Sequence, residues 1–213
     1  MRKIRLILWA LVALAALVLM TVFFLKQGKP LLSALSGDKS EALSTLENDP
    51  LYLGSPFELI DHQGQSITQD YFTGHPSILF FGFTHCPDVC PTTLNELSLL
   101  YDQLDSVKRE QLRIAFVTID PSRDTPQIMA SYVENFTLPV RGITGDEKDV
   151  YKLSDSWSIY REKVPLSEGG YTMNHTASVF LIKPDGALRS TITFGEDSAV
   201  ALEKINNLLE LVE

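Results

Sequence analysis

The two cysteines are the residues of this chain best suited to do chemistry. Cys86 and Cys90 are separated by three residues in the segment 84–94, THCPDVCPTTL, which follows a short apolar run. A cysteine in its thiolate form attacks disulfides and binds soft metal ions. This spacing therefore indicates disulfide exchange or metal binding, with a simple stabilising disulfide as a third reading. Because closing so short a loop gains little entropy, we favour the first two.

The elements around the cysteines favour the thiolate. Residues 78–83, ILFFGF, form a continuous apolar run that is typical of a strand buried on both faces. A helix is predicted from Pro91 to Leu104, since proline suits the first helical position and leucines recur along one face. Cys90 then lies at the positive end of the helix dipole, which lowers the pKa of a thiol. Because a proline follows each cysteine and disfavours the α conformation before it, both cysteines are expected outside regular helix.

The rest of the domain alternates between strand-like and helix-like segments, which is typical of parallel strands joined by crossover helices. The turn at 184–186, PDG, joins two strand-like runs and predicts an antiparallel hairpin at the end of the sheet. The predicted strands cover residues 57–61, 66–67, 78–83, 113–120, 140–144, 158–165, 177–183 and 187–194, and the predicted helices residues 91–104, 126–135, 146–157 and 198–212. This order predicts an α/β domain with a thioredoxin-like fold, a mixed central sheet flanked by helices.

A transmembrane anchor is predicted at residues 6–25, a run of 20 residues whose only polar member is Thr21. About 20 apolar residues cross the hydrocarbon core of a membrane as a helix. Arg2, Lys3 and Arg5 precede the run, so the positive-inside rule places the N-terminus in the cytoplasm. A cleaved signal peptide is the alternative, but its apolar segment is shorter and ends at a cleavage site that this sequence lacks.

The predicted organisation has three parts: the cytoplasmic N-terminus and anchor at 1–25, a linker at 26–50 and one thioredoxin-like domain at 51–213. We expect a single-pass protein of a bacterial inner membrane, because no Arg- and Ser-rich transit peptide precedes the anchor. Its domain would face the periplasm, where disulfides can form. Residues 31–213 carry 13 of the 18 basic residues and all 27 acidic ones, a formal charge of −14. This charge argues against binding to nucleic acid, which needs a basic surface.

Three segments of the domain carry a family resemblance. They are THCPDVCPTTL at 84–94, DPSRDTP at 120–126 and Asn-His-Thr at 174–176. Together they resemble the Sco/SenC family, copper-handling assembly factors for cytochrome c oxidase, and the resemblance covers residues 50–212. It implies a thioredoxin-like fold and a copper site.

The ligands that this resemblance implies are Cys86, Cys90 and His175. Thiolate sulfur suits Cu(I), and imidazole suits copper in either oxidation state, so the three side chains agree chemically with the implied metal. Three ligands leave one position through which a recipient could take the copper. Without the family resemblance, His175 would be passed over as a histidine that precedes a strand.

The sequence departs from related patterns at two places. The family usually has Asp before this histidine, whereas here the residue is Asn174, which brings no charge to orient or strengthen the ligand. Thioredoxins carry a cis-proline before the strand that faces their cysteines, but residues 172–179 contain no proline. The second departure argues against a general oxidoreductase.

Four other side chains near the motifs could take part. We expect His85 to be an exposed loop residue, because adjacent side chains of an extended backbone face opposite ways. Asp88 could cap the helix or lower the redox potential of a metal. Asp120 and Asp124 are expected to fix the loop before the next helix.

Two main functions follow from the sequence, and copper sensing or storage without transfer stays open as a third. The first is a membrane-anchored copper metallochaperone that delivers copper to the binuclear site of cytochrome c oxidase subunit II, or to another copper-accepting protein. The alternative is a thiol-disulfide oxidoreductase that reduces the cysteines of that site or of other extracytoplasmic partners. In the alternative, Cys86 is the exposed nucleophile and Cys90 the resolving thiol.

Overall fold

The computed structural model of the protein describes residues 54–210, together with Leu14 and residues 17–21. Leu14 and residues 17–21 are helical. Among the described residues, no helix is both long enough and apolar enough to cross a membrane. Most of the predicted span at 6–25 and the whole linker at 26–50 lie outside the described residues.

Residues 54–210 form nine strands and five α-helices. The strands are β1 Glu58–Asp61, β2 Ser66–Thr68, β3 Ser77–Gly82, β4 Arg113–Thr118, β5 Arg141–Thr144, β6 Arg161–Pro165, β7 Tyr171–His175, β8 Val179–Ile182 and β9 Leu188–Ile192. The helices are α1 Val89–Tyr101, α2 Ser106–Gln111, α3 Pro126–Val133, α4 Glu147–Ser156 and α5 Ser198–Leu209, with a short 3-10 helix at Gln69–Tyr71.

Seven of the strands form one mixed sheet in the order β2-β1-β5-β4-β3-β8-β9. β3, β4 and β5 are parallel, and the other neighbours are antiparallel. β6 and β7 pair with each other as a separate two-stranded hairpin. The predicted mixed central sheet, flanked by helices and ending in an antiparallel pair, is therefore confirmed.

The core explains why the central strands read as continuous apolar runs. All six residues of β3 are buried, and so are the last five of β4, because both faces of the sheet are covered. α1 turns Leu94, Leu97 and Leu100 toward the sheet, together with Cys90. The cysteine helix is thus anchored in the core along its whole length.

The start of α1 corrects one prediction. The helix begins at Val89, so Cys90 lies in its first turn and not outside regular helix. Pro91 is tolerated because the first N–H groups of a helix have no intrahelical acceptor, so its missing N–H removes no bond. The first intrahelical bond runs from the Thr92 N–H to the Asp88 carbonyl at 3.1 Å. Cys86, in contrast, lies in the loop as predicted.

Besides the short 3-10 helix, two elements were not predicted. α2 is a single short helix capped by Asp105, whose side chain accepts a hydrogen bond from the Lys108 N–H. β7 falls on residues 171–175, which the sequence placed only before the next strand. The second element matters more, because it carries the third candidate ligand.

Candidate metal centre

Cys86, Cys90 and His175 come together at one end of the sheet. The two Sγ atoms and one imidazole nitrogen all lie within 4.8 Å of one another. Cys90 Sγ is 3.6 Å from His175 Nε2, and the Cys90 N–H donates to Cys86 Sγ at 3.3 Å. Both cysteines are free of any disulfide. The three side chains that the family resemblance implied as ligands are therefore neighbours in space.

The sheet topology brings the histidine to the cysteines. β3 runs into the cysteine loop, and β8 pairs with β3 in the antiparallel direction, with Val179 opposite Phe80. The start of β8 therefore lies near the end of β3. Since β7 ends only a few residues before β8, His175 is delivered to the same edge.

The two thiols differ sharply in their electrostatics. The hydrogen bond that Cys86 receives from Cys90 lowers the pKa of Cys86 to about 4, against the opposing effect of its burial. The pKa of Cys90 is raised, first because it donates to the Cys86 sulfur and second because it is buried. At neutral pH the pair thus holds one thiolate, on half-buried Cys86, and one thiol, on fully buried Cys90.

The ring of His175 is oriented by its own backbone. Nδ1 donates to the Thr176 carbonyl at 2.7 Å, which leaves the lone pair of Nε2 facing Cys90. The Phe83 ring packs edge-on against the imidazole, with centroids 5.8 Å apart. Asn174 does not orient the histidine, because its amide is exposed and donates to Glu162 at 3.4 Å. A backbone carbonyl therefore fills the orienting position that the sequence comparison assigned to residue 174.

Asp124 anchors the beginning of the cysteine loop. Its buried carboxylate accepts hydrogen bonds from the Thr84 N–H at 3.1 Å, from the Thr84 hydroxyl at 2.6 Å and from the Thr118 hydroxyl. The hydrogen bond to Thr118 confirms the prediction that Asp124 fixes the loop before the next helix. The two bonds to Thr84 show that Asp124 also fixes the loop before Cys86. His85 is exposed over 47% of its side chain and lies 3.7 Å from this carboxylate, outside the cluster of three.

Asp120 joins the next loop to β7. It is fully buried, forms an ion pair with Arg123 Nε and accepts a hydrogen bond from the Tyr171 hydroxyl at 2.7 Å. Sequence reasoning missed Tyr171, because its partner lies 51 residues away and no local pattern links them. Asp88 occupies the N-cap position of α1 without a side-chain capping bond, and accepts from the Thr92 hydroxyl at 3.3 Å.

Gly82 makes room for the buried sulfur. A Cβ atom at this position would lie 2.8 Å from Cys90 Sγ and 2.6 Å from a ring carbon of Phe116. Only a residue without a side chain lets Cys90 pack directly against β3 at this point. The close approach of strand and helix thus determines where the sulfur lies.

An open cleft leads to the cluster from solvent. Its walls include Cys86 and His175 themselves, with a largely apolar rim formed by Phe83, Pro87, Val89, Tyr160, Met173 and Ala177. An external group can therefore approach Cys86 while Cys90 stays behind it. Two thiolate-forming sulfurs and one imidazole nitrogen form a donor set that suits copper, above all Cu(I).

Comparisons with known proteins agree with this geometry. Residues 46–210 match the SCO1/SenC family. A protein of Stutzerimonas stutzeri is 39% identical over 135 residues, which cover 63% of this chain and 66% of that protein. The human mitochondrial protein SCO1 homolog is 36% identical over 168 residues, 75% of this chain and 56% of its own length.

A solved structure gives the same result for the fold. Bradyrhizobium japonicum ScoI with copper bound is 35% identical, with a TM-score of 0.67, over 73% of this chain and 99% of that one. The family match covers more than half of the sequence and includes all three candidate ligands. The chain therefore belongs to the SCO1/SenC family.

Proposed function

We propose that the protein binds one copper ion through Cys86, Cys90 and His175. The observation that carries the proposal is the cluster of their three ligand atoms within 4.8 Å. A structural zinc site prefers four protein ligands, whereas two sulfurs and one nitrogen suit Cu(I). The structure of a related ScoI with copper bound supports the same metal. Binding would displace the proton of Cys90, since metals bind the thiolate.

The copper is cargo that the protein transfers to a recipient protein. Three ligands leave a position open, and the cleft beside Cys86 gives an incoming cysteine access to it. As the recipient enters, the ligands can be exchanged one at a time without a change in the oxidation state of the copper. The proposed recipient is cytochrome c oxidase subunit II, or another copper-accepting protein, in line with the family to which the chain belongs.

The proposed location is the periplasmic face of a bacterial inner membrane. The apolar run at 6–25 would anchor the chain with its N-terminus in the cytoplasm, and the linker at 26–50 would hold the domain near the membrane. In that compartment the cysteines can be oxidised, so the reduced dithiol is the form competent for copper.

His175→Ala is expected to weaken Cu(I) binding about 100-fold, or about 2.8 kcal/mol. The imidazole is lost, while the two sulfurs remain and still hold the metal. The affinity would be measured on the full chain, without oxygen, in competition with a chromophoric Cu(I) chelator. The wild type should bind one equivalent.

The matched control for this prediction is His85→Ala. His85 adjoins Cys86 in sequence but lies outside the cluster, so its removal should leave the affinity unchanged within about twofold. Equal affinities in wild type and His175→Ala would dismiss His175 as a ligand.

A second candidate function is thiol-disulfide exchange, which the unequal thiols favour. The Cys86 thiolate would attack a partner disulfide, forming a mixed disulfide and releasing one partner sulfur. Cys90 would then lose its proton to the released thiolate and attack Cys86 Sγ, which lies within 4.8 Å. The products are a Cys86–Cys90 disulfide and a fully reduced partner dithiol.

The rate at which iodoacetamide alkylates Cys86 is expected to stay nearly constant between pH 6 and 8, because a group with a pKa of about 4 is already ionised there. A thiol with an ordinary pKa near 8.5 would react about 75-fold faster at pH 8 than at pH 6. Mass spectrometry of the alkylated peptide at timed intervals gives the rate.

The comparison variant is Cys90→Ala. It removes the donor that contributes most to the lowered pKa of Cys86, so the rate should now rise with pH across the same range. A rise of more than about tenfold in the wild type would contradict the assignment of the thiolate to Cys86.

A further inference from the structure

His175 lies on a two-stranded hairpin that is separate from the main sheet. Within residues 54–210, β6 and β7 pair with each other and form no ladder with the seven-stranded sheet. The cysteines, in contrast, follow strand β3 of the main sheet, with Cys86 in the loop after it and Cys90 in the first turn of α1. The 3.6 Å between Cys90 Sγ and His175 Nε2 therefore depends on contacts that tie the hairpin to the rest of the domain.

Tyr171, the first residue of β7, makes several of these contacts. Arg123 Nη1 donates to its backbone carbonyl at 2.9 Å, and the guanidinium lies 3.8 Å from the centroid of its ring. Its hydroxyl donates to Asp120 at 2.7 Å. Asp120 is fully buried and paired with Arg123 Nε, so the two side chains that contact Tyr171 hold each other in position.

Arg123 also borders the Phe83 ring, which contacts His175 at the other end of β7. Its guanidinium carbon is 6.0 Å from the centroid of the Phe83 ring, and that ring packs edge-on against His175. The two ends of the five-residue strand are about 13 Å apart, at the usual rise per residue. One side chain thus contacts Tyr171 directly and borders the aromatic ring that supports the ligand.

We propose that Arg123 and Tyr171 are positioning residues for His175, holding β7 so that the imidazole stays within copper-binding distance of both sulfurs. The proposal rests on the copper-binding function proposed above. The guanidinium is needed because its fork donates to the Asp120 carboxylate and to the Tyr171 carbonyl at once. A lysine could neutralise Asp120 but would not reproduce this two-point contact.

Arg123→Lys tests the proposal, since it keeps the charge beside Asp120 and removes the fork. We expect the affinity of the full chain for Cu(I) to fall about 10-fold, because the third ligand is no longer held in place. In a His175→Ala background the same substitution should change the affinity less than about twofold, since the residue through which Arg123 acts is gone. A 10-fold loss in both backgrounds, or no loss in the first, would overturn the positioning role.

The matched control is Arg141→Lys. Arg141, on strand β5, forms a similar ion pair with buried Asp61 at 2.9 Å. Its guanidinium carbon lies 5.8 Å from the centroid of the Tyr71 ring. It has the same chemistry as Arg123, but Asp61 and Tyr71 do not belong to the hairpin that carries His175. Its substitution should leave Cu(I) affinity unchanged within about twofold.

A metal-free measurement separates this proposal from the proposed function. In the wild type, proton NMR should show nuclear Overhauser contacts between the rings of Phe83 and His175. These should weaken in Arg123→Lys and persist in Arg141→Lys. Contacts that persist in Arg123→Lys would overturn the proposal. If the contacts weaken but the wild type binds no Cu(I), the copper function fails while the positioning of the ring by Arg123 stands.

Discussion

Replacing both cysteines with serine is expected to abolish tight Cu(I) binding. The Cys86→Ser/Cys90→Ser chain retains only His175 of the three ligands, and a serine hydroxyl stays protonated at neutral pH and is a poor ligand for a soft ion. We expect the affinity to fall at least about 10⁴-fold, or about 5.6 kcal/mol. Anaerobic competition with a chromophoric Cu(I) chelator measures the loss.

Two controls keep this result interpretable. Circular dichroism should show an unchanged fold, because Cys→Ser alters only one atom at each position. Asp88→Asn changes the charge between the cysteines without touching a ligand, so it should keep the affinity within about threefold. A double-serine chain whose affinity stayed within tenfold of the wild type would remove the cysteines from the copper site.

The cysteine half of the site could be predicted because its determinants are local. A buried strand, a turn and a helix start follow one another within residues 77–101, so composition and spacing alone place both sulfurs near the start of a helix. The prediction that the helix dipole lowers the pKa of Cys90 is wrong, because its hydrogen bond to Cys86 and its burial raise that pKa. The thiolate is on Cys86, the sulfur that receives the hydrogen bond, and sequence alone does not show which sulfur that is.

The histidine half could not be predicted from the residues alone. His175 lies 85 residues beyond Cys90, and only the antiparallel pairing of β8 with β3 brings the two together. The family resemblance supplied His175 and implied an orienting Asp at position 174, where this chain has Asn174. The imidazole donates to the Thr176 carbonyl instead. No local sequence pattern indicated strand β7 or the contacts of Tyr171.

The error at Cys90 has a physical cause. The rule that proline disfavours helix in the preceding residue concerns one pair of residues, whereas the start of a helix depends on the whole first turn. The hydrogen bond from the Thr92 N–H to the Asp88 carbonyl forms the first turn despite Pro91, and Cys90 lies within that turn. The consequence is favourable to the site, because a residue in the first turn is held more firmly than one in the loop.

The second large effect is expected from Asp124→Ala, which should destabilise the domain by about 3 to 4 kcal/mol. The substitution leaves the buried Thr118 hydroxyl without its acceptor and releases both bonds to Thr84. Equilibrium unfolding in urea measures the free energy lost. Asp124→Asn should cost less, because the amide oxygen can still accept some of these bonds.

The matched control for Asp124 is Asp185→Ala. The Asp185 carboxylate also accepts two hydrogen bonds, from Lys183 Nζ and from the Ala187 N–H, each at 2.9 Å. Half of its side chain is exposed, so water can replace the lost acceptor, and we expect a cost below about 1 kcal/mol. The difference between the two variants measures the effect of burial. If Asp124→Ala cost no more than Asp185→Ala, the carboxylate would not be what secures the cysteine loop to β4.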